Sequence, residues 1–209
     1  MKTVAEKQTI IKVTSMLESK DRFSFVTYTR SSILSAAGEV RGDKRPPKNF
    51  VRSVISGLTN NDKNFVKAIP LELSGLTGSK IRDINDEVFY DANYLDYYIN
   101  NSHDVYKIFM NRYFKEQNAL VISFQNEGLI SRNFGNKSSY IQVPYNDFYD
   151  KVDSVTAQIS EFSGEHNLCI LDCPMFSSAI ALKIWEKTNM SIMDLGKSLT
   201  LARSFNKVK

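Results

Sequence analysis

The sequence predicts a single α/β domain on a mostly parallel sheet with helices on both faces, a Rossmann-like arrangement. Three observations predict it. Strand-like and helix-like segments alternate three times between Ala119 and Leu195, and such alternation calls for parallel strands joined by right-handed crossovers. Leu168–Cys173 is a continuous apolar run of strand length, as expected of a strand covered on both faces. Finally, 209 residues with 42% hydrophobic and 24% charged content suffice for one full core.

The elements follow in order. Val4, Ile11, Val13, Met16 and Leu17 recur among charges with roughly helical spacing, which predicts a leading helix that ends before Asp21. Residues 23–28, Phe-Ser-Phe-Val-Thr-Tyr, are aromatic and β-branched and predict the first strand. A small-residue helix follows from about Ser31 to Ala37 and stops at Gly38. Phe50, Val51, Val54, Ile55 and Leu58 form an amphipathic stripe closed by Gly57 and Asn60-Asn61, and 65–70 reads as the second strand. Between Asp83 and Gln117, apolar and aromatic residues recur at helical intervals, broken near Asn100-Asn101-Ser102. Two helices joined by a short turn satisfy that pattern, as a helical insertion at about 83–117 in one domain of residues 1–209.

The last third is the most regular. Strands are predicted at 119–124, 140–144, 168–173 and 191–195. Helices are predicted at 128–134, 148–162 and 177–187, the middle one with Val152, Val155 and Ile159 on its buried side and Gly164 at its close. No internal repeat or low-complexity segment occurs.

Composition narrows the function classes. No stretch approaches the run of about 18 apolar residues that spans a bilayer, and Lys2, Glu6, Lys7, Lys12 and Glu18 interrupt the opening segment. Neither membrane insertion nor export is therefore expected. Cys169 and Cys173 fall on one face of a buried strand, ~13 Å apart by strand rise and too far for a disulfide. Buried free thiols fit a reducing, cytoplasmic compartment, or a virion if the chain is structural. A metal site is not expected, because no second Cys or His pair accompanies them.

The net charge of +4 is mild. Its concentrated source is Arg41, Lys44, Arg45 and Lys48 around Pro46-Pro47, with Arg52 close behind. Such a segment is either a solvated loop or a contact for a nucleotide diphosphate, a nucleic acid or an acidic partner; nucleic acid is not the expected partner.

In doubly wound sheets, ligands bind beyond the carboxyl ends of strands, where helix starts aim N–H groups outward. Four loops qualify. Thr29, Arg30, Ser31 and Ser32 offer three hydroxyls and a guanidinium, suited to phosphate or carboxylate or to simple helix capping. Glu127, in the loop after the 119–124 strand, is placed as an acid or base, or as a first-turn residue complementing the helix dipole. Ser177 and Ser178 set two hydroxyls at a helix entry. Asp194 and Lys197 suit a ribose and a phosphate, or mark a strand end and a turn at Gly196. Neither the dinucleotide fingerprint nor the P-loop is present, and no cofactor motif is found. His103 and His166 stand near no serine or cysteine elbow, so no catalytic residue is assigned.

The order of these elements resembles the bacterial glycosyltransferases of the GT-D fold, which transfer a sugar from a nucleotide diphosphate sugar. There an aromatic strand of the type Phe-Ser-Phe-Val-Arg-Phe runs into Gly-Asp-Gly-Glu; here residues 23–28 run into Thr29-Arg30-Ser31-Ser32. A strand ending in Pro follows, like Ile69-Pro70. Near the close, a strand, a Gly-Pro-x-Ala-Lys helix start and Asp-x-Gly-His resemble 168–173, Pro174 with the following helix, and Asp194-Leu195-Gly196-Lys197. The parallel runs from about Asp21 to Lys197.

The departures fall on the chemistry. The acidic Asp-x-Glu pair of the family implies a divalent cation held opposite the diphosphate, but Arg30 and Ser32 occupy those positions here. Thr27 stands for the strand-end Arg, and Lys197 for the late His. The resemblance therefore implies a divergent, inactive domain that binds an anionic nucleotide sugar through positive charge. The alternative is a non-catalytic assembly protein, such as a virion component. Its partner, or a second copy, would meet the aromatic helices at 83–117.

Overall fold

The structure is a computed structural model that describes residues 2–40, 45–73, 88–101, 103–115, 117–135, 137–162, 164–196 and 198–199. Eight parallel strands form one sheet. They are β1 (Lys2–Val4), β2 (Ser24–Thr27), β3 (Phe65–Ile69), β4 (Val88–Asp91), β5 (Ala119–Ser123), β6 (Ser139–Gln142), β7 (Leu168–Asp172) and β8 (Ser191–Asp194), in the spatial order β1-β4-β3-β2-β8-β7-β5-β6. Among the described residues eight α-helices accompany them: α1 (Glu6–Glu18), α2 (Arg30–Ala36), α3 (Lys48–Leu58), α4 (Tyr94–Asn101), α5 (His103–Tyr113), α6 (Glu127–Phe134), α7 (Val152–Phe162) and α8 (Phe176–Lys187).

Side-chain alternation along the strands builds two cores. Val26, Tyr28, Phe65, Ile69, Leu120, Ile122, Cys169 and Leu171 face one side, where α2, α3, α7 and α8 pack. Phe25, Val66, Ala68, Ala119, Val121 and Ile170 face the other, under α1, α4, α5 and α6. Crossovers that step one way along the sheet use one face, and those that step back use the other, as right-handed connections between parallel strands require. The two cysteines lie on one face, fully buried.

Two strands lie where the sequence predicts helix. Lys2–Val4 forms edge strand β1 beside β4, ahead of the leading helix. Val88–Asp91, read as part of the helical insertion, is β4, paired with both β1 and β3. Residues 83–87 of the predicted insertion lie outside the described residues; from Val88 a strand comes first, and α4 and α5 follow in the crossover from β4 to β5. A third difference is smaller: the predicted 148–162 helix begins as a 3-10 turn at Phe148–Lys151.

Local chemistry sets the boundaries. Thr29 caps α2 by accepting from the backbone N–H of Ser32, and Asn126 caps α6 by accepting from that of Leu129. Thr9, Val13 and Met16 form the buried stripe of α1, and Thr9 Oγ1 accepts from the Asp91 N–H at 3.1 Å, fixing α1 against β4. On the opposite face Gly57 lets α3 come close to the sheet, because a Cβ there would sit 2.3 Å from Tyr28 Oη. Arg22 fastens the amino-terminal edge of the sheet. It lies 3.7 Å from the centre of the Trp185 ring and donates to the carbonyls of Met190, Thr188 and Trp185.

Candidate functional site

The strand order reverses direction beside β2, and a cavity of about 460 Å³ opens there beyond the carboxyl ends of the strands. Its wall crosses several strands. Thr27, Thr29, Arg30 and Ser31 come from β2 and the start of α2, while Pro70 and Glu72 follow β3. Ala92, Asn93 and Asp96 follow β4, and Pro174 and Gly196 close the side nearest β7 and β8. From the β2 loop to the β4 loop is two strand spacings, about 10 Å, a span suited to an extended polar ligand.

The sequence-predicted residues divide sharply. Thr29, Arg30 and Ser31 line this cavity, with Arg30 exposed. Ser32, Ser177 and Ser178 are fully buried beneath it. Ser32 Oγ bonds Ser178 Oγ at 2.8 Å and Thr29 Oγ1 at 3.0 Å, while Ser178 donates to the Met175 carbonyl and Ser177 to that of Cys173. Asp194 has no solvent exposure either. One of its oxygens accepts from the N–H and the hydroxyl of Thr27 (3.0 and 2.7 Å), and the other from the Gly196 N–H (2.8 Å). Since Thr27 and Gly196 both line the cavity, Asp194 braces its floor from below. Glu127 is exposed at the start of α6, outside this cavity. Lys197 and residues 41–44 lie outside the described residues. His103 begins α5, and buried His166 pairs through Nδ1 with Asn118 Oδ1 at 2.8 Å.

The floor continues as a polar row along the strand ends. Beyond Asp194, the Asp172 carboxylate accepts from Ser123 Oγ at 2.7 Å. Burial pushes the Asp172 carboxyl up to about 8, with the Asp194 charge adding to the shift and the Ser123 and Leu199 donors opposing it. Burial likewise raises Asp194 to about 6, against its donors from Gly196, Thr27 and Ser177. Both are buried, and burial disfavours the charged form. The same cause raises both thiols, so neither is an activated nucleophile.

Glu72, Asn93 and Asp96 are cavity residues that the sequence reading missed, since the last two follow an unrecognised strand. Beneath them Asp91 is buried and raised, first by burial and then by the charges of Glu6, Glu72 and Asp96. The Thr29–Ser32 loop brings a guanidinium and no carboxylate, and among the described residues no group of three His, Cys, Asp or Glu is arranged to hold a metal. Met175, at the turn from β7 into α8, has φ 54 and ψ −48. With the Phe176 N–H donating to the Pro174 carbonyl, it makes a strained γ-turn at the edge of the cavity.

Neither family models nor curated proteins match this chain. Solved structures do. A glycosyltransferase (DUF1792) from Streptococcus sanguinis superposes with a TM-score of 0.77 at 10% identity, covering 99% of this chain and 85% of that one. A selenomethionine-substituted structure of domain of unknown function 1792 gives 0.77 at 9% identity, over 99% and 82%. A third, described as showing that this domain has a distinct glycosyltransferase fold, gives 0.75 at 8%, again over 99% and 82%. The fold is the GT-D fold. At such identities the likeness is one of fold alone, and the GT-D-like chain carries its own loop chemistry at the carboxyl edge. No helix among its described residues is long and apolar enough to cross a membrane.

Proposed function

We propose that this chain is a divergent, catalytically inactive GT-D-like domain that binds an anionic nucleotide sugar in the cavity above β2 and β3. The observation that carries this reading is the placement of Arg30 with the hydroxyls of Thr29 and Ser31 on one wall. A guanidinium and hydroxyls donate to phosphate oxygens directly. Glu72, Asn93 and Asp96, toward β4, provide acceptors for the hydroxyls of a sugar or ribose.

Inactivity follows from the same loop. Arg30 stands where a cation-holding acid is implied, and Ser32, at the second such position, is turned inward onto Ser178. A carboxylate at position 32 would lose that hydrogen bond and have no room to reach solvent. Thermal-shift titration with UDP, GDP and their sugars, with and without manganese, tests the proposal. A shift that is indifferent to metal is expected. No shift for any nucleotide would remove the binding claim, and sugar transfer abolished by a chelator would remove the inactivity claim.

A second reading, a non-catalytic assembly protein, rests on different side chains from those first expected. Tyr94, Tyr106, Phe109 and Phe114 of the aromatic segment are buried against the chain's own sheet. Ile11 on α1 and Val105 and Ile108 on α5 are instead exposed, at 65%, 47% and 65%. Apolar side chains left in water favour a covering partner. Size-exclusion chromatography with light scattering discriminates, because a strict monomer that binds nucleotide sugar supports the first reading.

A further inference from the structure

The basic segment is the sequence feature that the nucleotide-sugar cavity does not absorb. Its described part borders a second cavity, of about 340 Å³, between the end of α2 and the start of α3. Ala36, Val40, Pro46 and Val51 supply an apolar floor, and Arg45, Lys48 and Arg52 stand on the rim. All three cations are exposed, and none forms an ion pair among the described residues. Lys48 and Arg52 are one turn apart on α3, so they share a face with about 6 Å of axial separation. Arg45 Nε donates to the Val40 carbonyl at 3.2 Å. That bond closes one end of the groove and leaves the rest of the guanidinium fork to face a ligand.

We infer that this groove docks an acidic peptide segment of a partner protein, whose one apolar side chain enters the floor while flanking carboxylates meet Arg45, Lys48 and Arg52. Charge complementarity sets the sign of the partner. The floor sets its class. A nucleic acid is disfavoured because no aromatic side chain lines the groove for base stacking. A membrane is disfavoured because the floor residues are recessed and none is among the chain's exposed large apolar residues. An apolar side chain between carboxylates uses both floor and rim, and a cavity of this size holds one such anchor. The groove lies at the opposite end of α2 from Arg30 and shares no lining residue with the first cavity.

The test is a fluorescence-anisotropy titration of the full chain, at low ionic strength, against a labelled peptide with one leucine between two pairs of glutamates. Saturable binding is expected. It should weaken roughly tenfold or more when the leucine becomes serine, and by a similar factor in a Lys48→Gln, Arg52→Gln double variant. Both substituted residues are exposed, and a circular-dichroism melt checks that the variant is folded. Val51→Ser, which leaves the charge of the rim unchanged, should weaken binding through the floor alone. The inference is overturned by absence of saturable binding, by binding indifferent to the leucine or to the double variant, or by preference for phosphatidylserine vesicles or duplex DNA.

Discussion

Ser32 Oγ lies 2.8 Å from Ser178 Oγ with both residues fully buried, so the first turns of α2 and α8 are joined by a hydrogen bond that no solvent reaches. Ser178 donates to the Met175 carbonyl and therefore accepts from Ser32. Ser32→Ala leaves that acceptor unsatisfied and should cost about 1–2 kcal/mol in chemical denaturation. Nucleotide-sugar affinity should be unchanged, because this hydroxyl supports the loop from inside. A loss of affinity at full stability would place Ser32 in contact with ligand.

Arg30 behaves in the opposite way. It is exposed at the cavity wall, so Arg30→Gln should leave the thermal midpoint unchanged. It should weaken nucleotide-sugar binding roughly tenfold or more, the scale of one charge-assisted hydrogen bond. Isothermal titration calorimetry measures this directly.

Stability should decline with rising pH through the buried acids. The folded chain holds the Asp194 proton to about 6 and the Asp172 proton to about 8, whereas an unfolded aspartate releases it near pH ~4. The native state thus binds more protons in this window. The associated stability is complete below pH ~4 and is lost as pH rises through those folded values. Asp172→Asn keeps an acceptor for Ser123 but stays neutral. The urea midpoint of the variant should therefore fall less than that of the unsubstituted chain between about pH 5 and 8. Parallel curves would show that Asp172 ionises as it does in water.

Arg22→Lys removes a planar fork that serves three carbonyls and covers Trp185. A point-charge ammonium cannot reproduce both contacts, and a destabilisation of about 2 kcal/mol is expected. Trp185 is the sole tryptophan. A red shift of its emission, preceding global unfolding in a denaturant series, would report the loosened edge.

The sequence reveals the long buried elements because their chemistry is redundant. Five consecutive buried residues in each of β3 and β5 leave no competing assignment, and Asn126 with Gly135 frames α6 from both ends. β1 and β4 are obscured by shortness. Val88, Phe89 and Tyr90 sit at intervals that also fit the helices after them, and only pairing with β1 and β3 decides between the two. Missing β4 hid Asn93 and Asp96 as well, since a polar residue marks a site only once the strand before it is known to end there. Asp194 illustrates the converse. An acid that closes an apolar strand has the same sequence signature whether it faces a ligand or, as here, the backbone of its neighbour.

The central position of β8 bears on how the molecule is made. Residues 191–194 lie between β2 and β7, so a nascent chain ending short of them carries two separate half-sheets, each with a raw parallel edge. Joining them brings residues 24–25 beside 192–193, a closure across most of the polypeptide and therefore a slow one. Until that closure the two half-sheets are joined only through helices, with α8 packed on α3 and Ser178 bonded to Ser32, and the Gly196 wall of the cavity is missing. The proposed ligand would then be recognised only after β8 is in place, and edge-to-edge aggregation is the hazard of the interval before it.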